Sequence, residues 1–200
     1  MQAVRSKRGA GSPTMRRIVY ASQPVFDRPG LTAAEKAATF TAVLAAAAAV
    51  APSEVVVVPH PNESLGRLER MVGAQASPPG VSVVFERTRD LHEVLIDAWL
   101  LATASSQSVF EAAIAGVPSM TVDIGARRIV THVEEGFSIG VDDADSAESA
   151  ARRLLSDEVR AHALARSRTA LRARFGELDG RAAVRAADLI QAMVEGSQER

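Results

Sequence analysis

Four consecutive valines, Val55 to Val58, constrain the fold more than any other feature of the chain. The run lacks polar alternation and is bounded by Glu54 and Pro59. That is the pattern of a strand buried on both faces, as in the middle of a parallel sheet. A strand of this kind needs helices above and below it, and the flanking sequence offers them. Thr32 to Ala51 reads as a helix opened by a Thr32-x-x-Glu35 capping box and closed before Pro52. Leu65 to Ala74 reads as a second helix, and Pro78-Pro79-Gly80 as a turn before a strand from Val81 to Glu86.

The same alternation runs through most of the chain. Arg17 to Ser22 reads as a first strand, followed by a turn through Asp27-Arg28-Pro29-Gly30. A helix over Asp90 to Ala98 leads into a strand over Trp99 to Ala104. A turn rich in serine follows, then a helix from Ser108 to Ala115 and a strand from Ser119 to Asp123. Gly136 to Val141 reads as a last short strand. From Asp145 the chain reads as helical, in three pieces broken near Asp157 and between Gly176 and Gly180, with Asp145-x-x-Glu148 as a further capping box. Strands alternating with helices predict an α/β fold: a doubly wound, mostly parallel Rossmann-like sheet with helices on both faces and a helical C-terminal tail. The expected organisation is a disordered basic leader over 1–15, a Rossmann-like domain over 16–157 and C-terminal helices over 158–200, packed on or beside it.

Composition narrows the function classes. Hydrophobic residues make up 47% of the chain and charged residues 24%, enough apolar content for one real core. A net charge of −1 argues against general affinity for nucleic acid. The absence of cysteine excludes disulfides and thiolate metal sites, and the four histidines lack metal-ligand spacing, so neither a metal nor a cofactor is expected. The most apolar window, around Val43 to Ala51, is too short to span a membrane, and a cytoplasmic protein is expected. No GxxxxGK(S/T), GxGxxG or GxSxG motif is present.

In an open α/β sheet, ligands sit beyond the carboxyl ends of the strands. Three polar segments fall at that edge: Pro59-His60-Pro61-Asn62-Glu63, Arg87-Thr88-Arg89, and the turn carrying Ser105, Ser106 and Ser108. Serine donors and the free N–H groups of a helix start attract phosphate. Glu111 lies in the first turn of that helix; Ser108-x-x-Glu111 also reads as a plain capping box, and the serines as plain turn residues. Arg87 and Arg89 also read as a solvated surface pair, and His92, His132 and His162 as ordinary surface or partly buried residues.

The segments PHPNE and TASSQSVFEAAIAGVP resemble the carboxyl-terminal, donor-binding domain of GT-B-fold glycosyltransferases over roughly residues 16–160. An HP dipeptide after one strand and paired serines after a later one are similar to bacterial sialyltransferases, polysialyltransferases and capsule Kdo transferases. CDP-glycerol glycerophosphotransferases carry similar elements. The resemblance implies a CMP-, CDP- or UDP-linked sugar as donor substrate. It places His60 at the donor phosphate as ligand or general acid, Ser105, Ser106 and Ser108 on phosphate oxygens, Glu111 on the ribose, and Arg87, Thr88 and Arg89 near the base. Retaining members often carry a glutamate where this chain has Thr103, so inverting chemistry is implied. One Rossmann-like domain is expected, which leaves acceptor recognition to another half or a partner subunit. The arginines between Arg152 and Arg185 read as a solvated helical face, or as a surface for that partner or for an anionic membrane. A UDP-N-acetylglucosamine 2-epimerase relative and a non-catalytic nucleotide-binding or assembly module are the alternatives.

Overall fold

The computed structural model describes residues 15–24, 32–125 and 130–198. Most of the basic leader and the turn expected at Asp27 to Gly30 lie outside these residues. Six parallel strands among them form one sheet: β1 (Arg16–Ala21), β2 (Ser53–Val58), β3 (Val81–Phe85), β4 (Leu100–Thr103), β5 (Ser119–Val122) and β6 (Ile139–Val141). Their spatial order is β3-β2-β1-β4-β5-β6. The direction of winding reverses between β1 and β4, the switch point at which doubly wound sheets hold ligands.

Side-chain alternation divides the core into two layers. Ile18, Tyr20, Val55, Val57, Leu100, Ala102 and Met120 face one way. Over them lie α1 (Ala33–Ala49) and α5 (Ala144–Arg153), which contribute Phe40, Val43, Ala46, Ala47, Ala147 and Ala151. Val19, Val56 and Leu101 face the other way, against α3 (Leu91–Leu95), α4 (Ser108–Ala115) and α6 (Asp157–Phe175). Alanine-rich helix faces let backbones approach closely, which accounts for the scarcity of aromatic residues.

Thr32 caps α1 through a full box with Glu35, as its sequence predicts. The expected box at Asp145 is displaced: Asp143 caps α5 and pairs reciprocally with Ser146. Glu148 instead holds Arg152 one turn later, at 2.8 Å. Asp143 wins because its backbone is extended at the entry to the helix, whereas Asp145 is already helical. At the other end of α4, Gly116 adopts φ 71°, the left-handed cap that closes the helix before Pro118.

Several tail arginines bind the domain rather than forming a purely solvated face. Arg160 stacks over Trp99 at 5.2 Å and Arg174 over Phe110 at 5.2 Å. Arg174 also pairs with Glu135 at 2.6 Å, and Arg166 donates to the Val133 carbonyl. The last helix, α7 (Ala182–Gln198), presents Leu189, Ile190 and Met193 to solvent, each more than 60% exposed. No helix among the described residues is long and apolar enough to cross a membrane.

Candidate functional site

The loops after β2 and β4 flank the end of β1, so the sheet order puts the loop of His60 and the serine turn on either side of the switch point. Two strand spacings, about 10 Å, separate β2 from β4. The loop carrying Arg87, Thr88 and Arg89 follows β3, the edge strand, another strand further from the serines.

His60 is held by its own loop. Its Nδ1 accepts the Asn62 N–H at 3.1 Å, and its carbonyl accepts the Glu63 N–H at 2.9 Å. A neutral ring with Nδ1 filled this way carries its proton on Nε2, which becomes a donor. A phosphate oxygen beside Nε2 would therefore meet an N–H without prior protonation of the ring.

The serine turn is partly occupied by the protein itself. The Ser105 N–H and hydroxyl both donate to the Gln23 side-chain oxygen, at 2.7 and 2.8 Å. Ser106 Oγ accepts the Ser108 N–H at 3.1 Å, while its own proton has no acceptor among the described residues. Ser108 is the first residue of α4; its hydroxyl is buried with no hydrogen-bond partner among the described residues. Glu111 does not complete a capping box: the N-cap is Gln107, without a side-chain hydrogen bond. Its carboxylate is exposed and free to meet a ligand hydroxyl. Thr103 is buried and donates to the Ala21 carbonyl at 3.1 Å, so a neutral group stands behind the turn.

Glu86 organises the third loop. Its carboxylate accepts the Thr88 and Arg89 N–H groups and the Arg89 Nε, bonds that pull its pKa down to about 2. Arg87 turns back to Glu69 on α2 (Leu65–Gly73). Both guanidinium groups therefore have acidic partners within the domain.

Sequence reasoning missed the group that ties the crevice together. Lys36, on the buried side of α1, donates to the Gln23 carbonyl at 2.6 Å and pairs with Glu63. Both side chains are 5% exposed. Removal from water pulls the lysine pKa down from 10.5 to about 8.

Among the described histidines, His132 alone is buried. It is 5% exposed, edge-on to Phe110 at 5.4 Å, and its Nδ1 has no partner among the described residues. Burial holds its pKa below the usual 6.5; Glu135 opposes this and Arg174 adds to it. The unfolded chain therefore binds the extra proton first, and its contribution to stability is lost as the pH falls from 6.5 through the folded pKa. The drop in urea midpoint between about pH 7.5 and 5.5 is expected to be smaller in His132→Phe than in the wild type. An equal drop in both proteins would remove His132 from the acid response.

No family model matches the sequence, and no curated protein matches it. Solved structures do. A co-structure of S. aureus MnaA with UDP superposes with a TM-score of 0.61 at 16% identity, over 90% of this chain and 47% of the other. A Listeria monocytogenes protein assigned as a UDP-N-acetylglucosamine 2-epimerase gives 0.59 at 19% identity, over 91% and 46%. The wall teichoic acid polymerase TagF soaked with CDPG gives 0.55 at 14% identity, over 93% and 43%. The chain has the fold of a GT-B carboxyl-terminal domain. It spans about half the length of these neighbours.

Proposed function

We propose that the crevice at the end of β1 binds a nucleotide-activated sugar, and that the chain serves as the donor-binding half of a GT-B-type glycosyltransferase. The observation that carries this reading is the placement of His60 and the serine turn on either side of the switch point. The ligands named for the neighbours, UDP and CDPG, favour a CDP- or UDP-linked donor, and the HP and serine motifs add a CMP-linked one. His60 Nε2–H and the Ser106 hydroxyl donate to phosphate oxygens, together with open N–H groups at the start of α4. Ser105 joins them when its N–H and hydroxyl are released by the accepting Gln23 oxygen and otherwise anchors the turn, and Ser108 lines the helix start. Glu111 accepts from the ribose, and the Arg87–Thr88–Arg89 loop lies toward the base.

In the transfer step the bond between the anomeric carbon and the phosphate oxygen breaks. An acceptor oxygen takes that carbon from the opposite face, and its proton passes to a base supplied by the acceptor-binding half. The departing phosphate carries the bonding pair, and the donors around it stabilise that charge. The acceptor in this reading is a glycan or a lipid-linked molecule at the cytoplasmic face of a membrane. The likeness to the Listeria protein supports a second reading, an epimerase acting on a UDP-sugar.

Thermal-shift titration with CMP, CDP, UDP and GDP tests the reading. A cytidine or uridine nucleotide is expected to stabilise the protein, and His60→Ala to weaken binding about tenfold. His162→Ala, an exposed control, is expected to bind as the wild type does. Preference for UDP with loss of the sugar's C2 proton to solvent would move the assignment to the epimerase. No response from folded protein would leave a non-catalytic assembly module.

A further inference from the structure

The loops on the two sides of the switch point are joined by a chain of contacts centred on the buried Lys36–Glu63 pair. Ser105 donates twice to the Gln23 side chain, at 2.7 and 2.8 Å. The backbone carbonyl of Gln23 accepts from Lys36 Nζ at 2.6 Å. Lys36 pairs with Glu63, and the other oxygen of that carboxylate accepts the His60 N–H at 3.4 Å. The Glu63 N–H returns to the His60 carbonyl at 2.9 Å. The loops after β1 and β2 thus meet on one ammonium group, and the loop after β4 joins them through the Gln23 side chain.

We propose that Lys36 is a positioning residue: it fixes the His60 loop relative to the serine turn through Glu63 and Gln23, without touching the ligand. An ammonium suits the task because it radiates three donors from a single atom and can serve a carbonyl and a carboxylate together. A neutral amide in place of Glu63 would keep the volume and lose the charge that seats the lysine. The link between the two loops would then rest on a weaker hydrogen bond without charge attraction. That Lys36 is buried argues for action through its partners, since its donors point into the protein.

The test compares the labelled full chain with its Glu63→Gln, Lys36→Met and Arg152→Ala variants. Arg152 pairs with Glu148 on the exposed side of α5 and serves as control. Without ligand, Glu63→Gln is expected to shift the His60 ring resonances and also the amide resonances of Gln23 and Ser105. Lys36→Met is expected to shift the same set, and Arg152→Ala none of them. A folded Glu63→Gln protein whose changes stop within residues 59–64 would overturn the proposal. If Lys36→Met does not fold, the Glu63→Gln spectra decide alone.

A second arm rests on the nucleotide-binding reading above. CMP and UDP are titrated into the wild type and Glu63→Gln, and the variant is expected to bind about tenfold more weakly. A wild type that binds neither nucleotide overturns that reading, while the spectra still judge the positioning role. Nucleotide binding that is equal in the two proteins overturns the positioning role and leaves the functional reading intact.

Discussion

Lys36→Met is expected to destabilise the protein by about 3–5 kcal/mol, read as a lower urea midpoint at unchanged slope. The loss comes less from the missing attraction than from Glu63, whose carboxylate stays 5% exposed with its cationic partner gone. Folded domains hold together by only about 5–15 kcal/mol, so the variant approaches the limit of folding. Removing both charges in Lys36→Met/Glu63→Leu is expected to recover most of the loss, because a well-packed apolar pair avoids the desolvation of two ions. A double variant no more stable than the single one would show that the pair is not the source of the effect.

Phe40→Ala is expected to cost about 3–5 kcal/mol as well, by a different route. Phe40 is fully buried in α1 and leans on Tyr20 with ring centroids 5.5 Å apart, where the helix crosses the middle of the sheet. The surrounding positions, Ala42, Val43, Ala46 and Ala47, are small and cannot close over the vacated space. The cavity should persist, and refilling it with Phe40→Leu should restore part of the loss. A midpoint shift in Phe40→Ala equivalent to less than about 1 kcal/mol would mean that the helix settles onto the sheet after all.

These two neighbours on α1 show what the sequence reveals and what it hides. The valine run announced β2 because only a doubly covered strand tolerates four apolar residues in succession. The limits of α4 were legible because a serine-rich turn opens it and Gly116-Val117-Pro118 closes it. Lys36 was not legible. An isolated lysine in an alanine-rich helix looks like a solvent-facing residue, and its burial follows only from where Glu63 and the Gln23 carbonyl arrive in space. Gln23 was hidden for the same reason, since its partners lie 13 and 82 residues away. The carboxylates at Glu111 and Glu148 carried the letter pattern of a capping box without its geometry. Ser106 Oγ accepts the N–H at the start of α4, and Asp143 entered α5 ahead of the expected residue. Asp and Ser are common enough at helix entries that pattern alone does not choose among them. The arginines of α6 looked like a charged face because stacking on Trp99 and Phe110 leaves no periodic signature.

The central place of β1 has a consequence for how the chain matures. Its left neighbour, β2, is made soon after it, but its right neighbour, β4, begins at Leu100. Closing that second pairing brings together segments about 80 residues apart, the kind of distant union that slows folding. The bonds from Ser105 to Gln23 span 82 positions and cannot form earlier. During translation, β1 therefore waits with one edge bare until β4, about 80 residues further on, has been made, and the site is assembled late.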